Sequence, residues 1–282
     1  MKKPTFVGIG APRCGTTWIY KCLKEHGDIY IPKGKSVQYF NNRYNKTSKW
    51  YFKRFETSKK YKAIGEYTPG YLTCTRCPKR LYSIMPNIKL LLSIRDPIDR
   101  AYSAYKHHVR KGVHNLSFAD ALSKNKYRPK YINPGLYYDH IKRYLKYYDK
   151  DQISILIYEE LKKSPSMFAK RIFKSLGVDH SYKPKVVGRK VNRGIGSKTS
   201  VLKKNIVRVM DCFNKIKWFR RYKEELLSIT WVNNLLDSLI FHENDNNIPE
   251  NIMCDLRERF FPQASGLSSI IDKDMVNIWW DR

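Results

Sequence analysis

The segment FVGIGAPRCGTTWIY, Phe6 to Tyr20, constrains this chain more than any other. Its opening, Phe6-Val7-Gly8-Ile9-Gly10, is a short apolar run that fits a buried strand, with two glycines that let other backbone approach closely. A tight loop follows, Ala11-Pro12-Arg13-Cys14-Gly15, and then the Thr16-Thr17 pair. From Thr17 onward Trp18, Ile19, Cys22 and Leu23 recur at helical spacing, so a helix begins at the threonines. A strand, a glycine-bearing loop and a helix N-terminus make an anion cradle. The first N–H groups of the helix have no intrahelical acceptor, and the helix dipole favours negative charge there. Arg13 adds a fixed cation and the hydroxyls add donors. The segment departs from the GxxxxGK[ST] phosphate loop: Thr16 occupies the Lys position, and the cation sits earlier, at Arg13.

Charge points the same way. Against 25 Asp and Glu stand 55 Lys and Arg, a formal +30, which favours an anionic partner: a nucleotide, a polyanionic substrate, nucleic acid or an acidic membrane. A solvated lysine-rich surface accounts for part of that excess and says nothing about the motifs. The cysteines stand at 14, 22, 74, 77, 212 and 254, and Cys74-Thr75-Arg76-Cys77 is a lone CxxC without a second pair, so no metal site is expected. No apolar run is long enough for a signal peptide or a membrane span, which leads us to expect a cytoplasmic protein with reduced thiols.

Along the chain, Ile88 to Ile94 is the strongest strand, and its near-continuous apolar character suits a parallel strand covered on both faces. It runs into Arg95-Asp96-Pro97 and a helix from about Ile98 to Lys111. Ala63 to Glu66 reads as the end of another strand, followed by the turn Tyr67-Thr68-Pro69-Gly70. Ile153 to Tyr158 is a further buried strand, followed by a helix from Ser166 to Leu176 that Gly177 stops. Helices are also predicted over Pro78 to Met85, Leu116 to Ser123, Leu136 to Tyr148 and Ile252 to Phe260. Lys33 to Phe40 is a basic loop entering an aromatic patch that continues through Trp50, Tyr51, Phe52 and Phe55. The alternation implies an α/β fold, a central parallel β-sheet flanked by helices with a P-loop-like phosphate site. Past a basic loop at Ser181 to Thr199, residues from about 200 to 282 read as mostly helical, packed on that core and closing with Trp279-Trp280. No repeat or linker divides the chain, so one domain over 1–282 is expected.

Two strand ends share a role. One delivers Arg13 to Thr17; the other delivers Arg95, with Ser103 eight residues later on the following helix. Neighbouring parallel strands would bring both clusters to one carboxyl edge, an arrangement suited to a nucleotide with phosphates at two ends.

On these residues the chain resembles the 3′-phosphoadenosine-5′-phosphosulfate (PAPS)-dependent sulfotransferases, in particular their heparan-sulfate and bacterial carbohydrate branch. The family's P-K-x-G-T-T loop corresponds to Pro12 to Thr17, its 3′-phosphate motif to Leu92 to Pro97 and Ser103, and its G-E-x-[ST]-P-x-Y-L segment to Gly65 to Leu72. Tyr158-Glu159-Glu160-Leu161, Gly135-Leu136-Tyr137 and Asp274 to Trp279 follow in family order. The resemblance implies that Arg13, Cys14, Gly15, Thr16 and Thr17 hold the 5′-phosphosulfate, and that Arg95 and Ser103 hold the 3′-phosphate. It further implies that Trp18 and Tyr158 contact adenine, and that Arg193 and Gly194 close over the 3′-phosphate. No metal is implied; sulfuryl passes in line to an oxygen or nitrogen of an acceptor, expected to be a glycan or glycoconjugate, and leaves 3′-phosphoadenosine-5′-phosphate.

The chain departs from the family in three places. Arg13 replaces the usual Lys; it keeps the charge but does not readily release a proton. Ser36 stands where the heparan-sulfate branch carries its catalytic Glu, and Tyr67 replaces the Lys of that branch's E-K-[ST]-P segment. Glu66, at a strand exit, is then the first candidate base, with a structural carboxylate as the alternative. His107 and His108, one turn past Ser103, read as packing residues, and Tyr39, Phe40 and Trp50 as core aromatics or an acceptor wall. The competing functions are a P-loop kinase or NTPase, which magnesium dependence separates, and a nucleic-acid-binding protein, which lacks a recognition motif here.

Overall fold

The computed structural model describes residues 3–188 and 248–281. Strands β1 (Phe6–Gly10), β2 (Ile29–Tyr30), β3 (Ala63–Tyr67), β4 (Lys89–Ile94) and β5 (Ile153–Ile157) form one parallel sheet in the order β2-β3-β1-β4-β5. The helices used below are α1 (Thr16–Glu25), α2 (Tyr39–Asn42), α3 (Ser48–Phe52), α4 (Cys77–Tyr82), α5 (Pro97–Arg110), α6 (Phe118–Ser123), α7 (Arg128–Ile132), α8 (Tyr137–Leu145), α9 (Tyr158–Lys163), α10 (Pro165–Leu176), α11 (Glu250–Ile271) and α12 (Met275–Trp280).

Strand period decides which residues meet which layer. On one face Val7, Ile9, Leu90, Leu92 and Ile94 pack with residues of α3, α8 and α12. On the other, Phe6, Leu91 and Tyr67 pack with Trp18, Ile19 and Leu23 of α1 and with Phe168 and Ile172 of α10. Both faces are covered, which is why β1 is buried at every position and β4 is buried from Leu90 to Ile94. Gly8 is required by this packing: a Cβ there would lie 2.2 Å from the ring of Tyr67. Tyr67 therefore fills core space, and its hydroxyl donates to the Gly10 carbonyl at 2.7 Å.

β1 lies between β3 and β4, so the expected meeting of two strand ends at one edge holds. A bulge between Gly8 and Gly10, where Gly8 pairs with Leu91 and Gly10 with Leu92, alters the register just before the loop. At the end of β4, Asp96 caps α5 by accepting from the N–H groups of Ile98 and Asp99, and Pro97 occupies the first turn. The C-terminal segment docks beneath this edge. Trp279 is buried and its Nε1 donates to Glu159 Oε2 at 3.2 Å, while Glu159 Oε1 accepts from the Asp96 N–H at 3.2 Å.

Element ends differ from the sequence reading mainly at prolines and caps. The helix expected over Ile252 to Phe260 runs as α11 from Glu250 to Ile271, with Pro262 inside it, because Ala264 and Leu267 beyond the proline are buried. Gly177 does end α10, in the left-handed conformation at φ 71°. Residues 200–247 of the predicted helical part lie outside the described residues. Among the described residues no helix is long and apolar enough to cross a membrane.

Candidate active site

The loop after β1 is held from several sides. The Ala11 N–H donates to the Ser93 carbonyl at 2.7 Å, and Ser93 Oγ returns a bond to the Cys14 carbonyl at 2.7 Å. Gly15, at φ 73°, starts α1 without any side-chain cap, so no side chain competes for the first-turn N–H groups. A Cβ on Gly15 would lie 2.9 Å from the Tyr158 ring. The Cys14 N–H, by contrast, turns back to the Ala11 carbonyl at 3.3 Å. The Cys14 thiol is fully buried against the Tyr137 hydroxyl at 3.4 Å, and burial pushes it up to about 11.

Arg13 takes φ 73°, a left-handed conformation that costs a non-glycine residue roughly 1–2 kcal/mol. Its Nε donates to Ser103 Oγ at 3.2 Å, linking the β1 loop to the second turn of α5. Arg95 leaves the neighbouring strand end, pairs with Asp99 at 2.8 Å and lies with its guanidinium carbon 4.9 Å from the Tyr158 ring centroid. Burial opposes the Arg95 charge and Asp99 outweighs that, so its proton is held more tightly than usual. Arg95 Nε is buried and has no hydrogen-bond partner. Arg13 is driven the other way, by burial and then by Arg110 and Arg95.

A third cation, not singled out from sequence, reaches the same place. Lys35 Nζ donates to Thr16 Oγ1 at 2.9 Å and to Thr17 Oγ1 at 2.8 Å, at the first turn of α1. Burial, and then the charge of Arg13, lower it to about 8.

Glu66, at the end of β3, is 1% exposed. Its carboxylate accepts from Thr68 Oγ1 at 2.5 Å, Tyr71 OH at 2.8 Å, Tyr51 OH at 3.1 Å and the Val37 N–H at 3.3 Å. Burial pushes the carboxyl up from its usual range, and the donors pull it only part of the way back. Tyr39 and Phe40 are buried in the adjoining aromatic cluster, and Arg54 lies 4.1 Å from the ring centroid of the half-buried Trp50. His107 Nδ1 meets Arg110 Nη2 at 2.9 Å, and burial followed by Arg13 lowers its imidazole to about 4. His108 Nδ1 meets the Tyr131 hydroxyl at 2.8 Å.

Arg13, Cys14, Gly15, Thr16 and Thr17 thus converge with Arg95, Ser103 and Tyr158 at one edge. Trp18 is 6% exposed, with its Nε1 on the Val186 carbonyl at 3.2 Å and its ring edge-on to Phe168. Arg193 and Gly194 lie outside the described residues.

Comparison with known proteins agrees with this geometry. The sulfotransferase domain family model matches residues 3–208. The chain is 31% identical over 198 residues to bifunctional heparan sulfate N-deacetylase/N-sulfotransferase 4 of Mus musculus, covering 64% of this chain and 23% of that protein. It is 36% identical over 110 residues to membrane-associated sulfotransferase kil1 of Dictyostelium discoideum, covering 38% of this chain and 23% of that protein. The chain thus spans less than a quarter of the length of these curated relatives. Among solved structures, a sulfotransferase from Alicyclobacillus acidocaldarius superposes with TM-score 0.62 at 26% identity, covering 78% of this chain and all of that one. With the family model spanning the sheet, both strand-end clusters and the Tyr158 segment, the chain belongs to the sulfotransferase family.

Proposed function

We propose that this protein transfers a sulfuryl group from PAPS to a hydroxyl or amine of a carbohydrate acceptor, by in-line displacement without a metal ion. One observation carries the reading: the 3.2 Å bond from Arg13 to Ser103, which joins two donor clusters at neighbouring strand ends. A nucleotide phosphorylated at both 3′ and 5′ positions needs two such clusters; a triphosphate needs one. The residues fit the group, since α1 carries no cap, Arg95 keeps a buried Nε without a partner, and three cations meet at one edge.

PAPS supplies an activated sulfuryl group on a phosphate leaving group. The first-turn N–H groups of α1, Thr16, Thr17 and Arg13 bind its 5′ end and stabilise the charge that develops there. Arg95 and Ser103 bind the 3′-phosphate, and Tyr158, already beneath the Arg95 guanidinium, lies beside the adenine. Trp18, buried at the start of α1, backs the adenine site. Glu66 is less suited to carry a proton than its position suggests: both oxygens already accept bonds, and solvent does not reach it. An amine acceptor that enters unprotonated reduces the need for a base, and relatives named for heparan sulfate N-sulfation support a sugar acceptor. The cytoplasmic location expected from the sequence belongs to this proposal, and cell fractionation tests it.

Calorimetric titration with 3′-phosphoadenosine-5′-phosphate, with and without EDTA and beside ATP, tests the assignment. We expect EDTA-insensitive binding, tighter than ATP, and a loss of roughly 10- to 100-fold in Arg95→Ala. Binding of magnesium-ATP with no binding of the bisphosphate would replace this reading by a kinase or NTPase.

A further inference from the structure

We infer that Lys35 is a second cation for the 5′ end of the nucleotide, touching its 5′-phosphate group, and that Glu66 is a positioning residue that sets the loop carrying Lys35. This rests on the bisphosphate reading above.

The first support is placement. Lys35 Nζ sits on the two hydroxyls of the first turn of α1, the turn whose N–H groups have no side-chain cap. An ammonium has three donors, and an anion seated on those hydroxyls and N–H groups lies within reach of it. Arg13, in turn, is directed by its Nε bond toward Ser103, on the 3′ side. Lys35 thus joins Arg13 at the 5′ end from the side of the α1 hydroxyls, while Arg13 links that end to Ser103.

The second support is the charge pattern. Among the described residues no carboxylate pairs with Lys35, and the charged group that acts on it is Arg13. Two like charges close together in a half-buried site are unfavourable in themselves. A dianion removes that cost.

The third support is the loop. Three consecutive backbone N–H groups after Ser36 are tied to one cluster: Val37 to Glu66 at 3.3 Å, Gln38 to Thr68 Oγ1 at 3.3 Å and Tyr39 to the Tyr71 hydroxyl at 2.9 Å. Glu66 also accepts from Thr68 and Tyr71, so one carboxylate orients all three attachments. Gly34 at φ 90° and Gln38 at φ 58° bend the chain on either side of Lys35. The sequence sets a fixed anchor at Glu66 and a cation on the arm it holds.

Two probes separate this role from a general one: adenosine 3′,5′-bisphosphate and adenosine 3′-monophosphate, titrated into the full chain. In Lys35→Met we expect affinity for the bisphosphate to fall by about 10- to 30-fold and affinity for the monophosphate to change less than about two-fold. The unchanged monophosphate arm also reports that the variant is folded; Lys35→Gln is read the same way if the Met variant does not fold. Glu66→Gln should show a loss of about three- to five-fold, again for the bisphosphate alone, and that loss should vanish when Lys35 is already Met. Equal losses for both ligands in Lys35→Met, no loss for either, or a Glu66→Gln effect that persists in the double variant would overturn the inference. Failure of the unsubstituted chain to bind the bisphosphate would instead overturn the nucleotide assignment.

Discussion

At the carboxyl end of β1, hydroxyls and N–H groups face cations; at the carboxyl end of β3, its neighbour in the sheet, they face a carboxylate. Thr16 and Thr17 meet Lys35, with Arg13 close by, whereas Thr68, Tyr71 and Tyr51 all converge on Glu66. The second region is complete by itself, with matched donors and acceptors in a dry setting. The first carries surplus positive charge that an anion from outside would match. A polar cluster that satisfies itself holds a fold in place; one with surplus charge of a single sign is built to receive something.

Removing the carboxylate is the strongest way to break this contrast. Glu66→Ala leaves two Tyr hydroxyls, a Thr hydroxyl and an N–H without their acceptor, and we expect a loss on the order of 4 kcal/mol in urea unfolding. A loss below about 1 kcal/mol would mean that the β3 end is not the self-sufficient one. Gly15→Ala acts on the β1 end through the backbone. Its φ of 73° and the 2.9 Å approach to Tyr158 predict a cost of roughly 1–2 kcal/mol in thermal unfolding, together with weaker bisphosphate binding.

The smallest effect is a pH dependence. Lys35 is lowered from its usual 10.5 to about 8, so the ligand-free folded chain gives up this proton before the unfolded chain does. Between those values the unfolded state binds more protons, and stability rises with pH. Wild type should therefore gain stability relative to Lys35→Met from about pH 8 upward, measured by urea unfolding of both proteins. Bisphosphate affinity should move the opposite way, falling in wild type as the ammonium is lost. Parallel pH curves for the two proteins would show that Lys35 is solvated rather than held in the site.

How far the sequence could be read follows from how local each feature is. β4 and its Arg95 were legible because a near-continuous apolar run ending in Arg-Asp-Pro states both burial and the strand exit. Arg13, Gly15 and the threonines were legible because strand, loop and helix are contiguous. Lys35 was not, since it lies 19 residues beyond Thr16 and returns only because three N–H groups are tied to the Glu66 cluster. Tyr67 stood out in the sequence as a substitution for a family cation, yet the space above Gly8 explains it as packing. Pro262 invites a helix end at Phe260, but the burial of Leu267 carries the helix past it.

Cys14 has a practical consequence. A cysteine in the middle of a nucleotide loop invites electrophilic inhibitors and thiol labels, both of which need an accessible thiolate. Here the sulfur is fully buried beneath its own loop and retains its proton until about pH 11, while Cys254 is exposed. Alkylating reagents will therefore spare the loop sulfur; among the described cysteines they will mark the exposed Cys254 and the half-buried Cys74, whose thiol is held below its usual range by its hydrogen bond with Cys77.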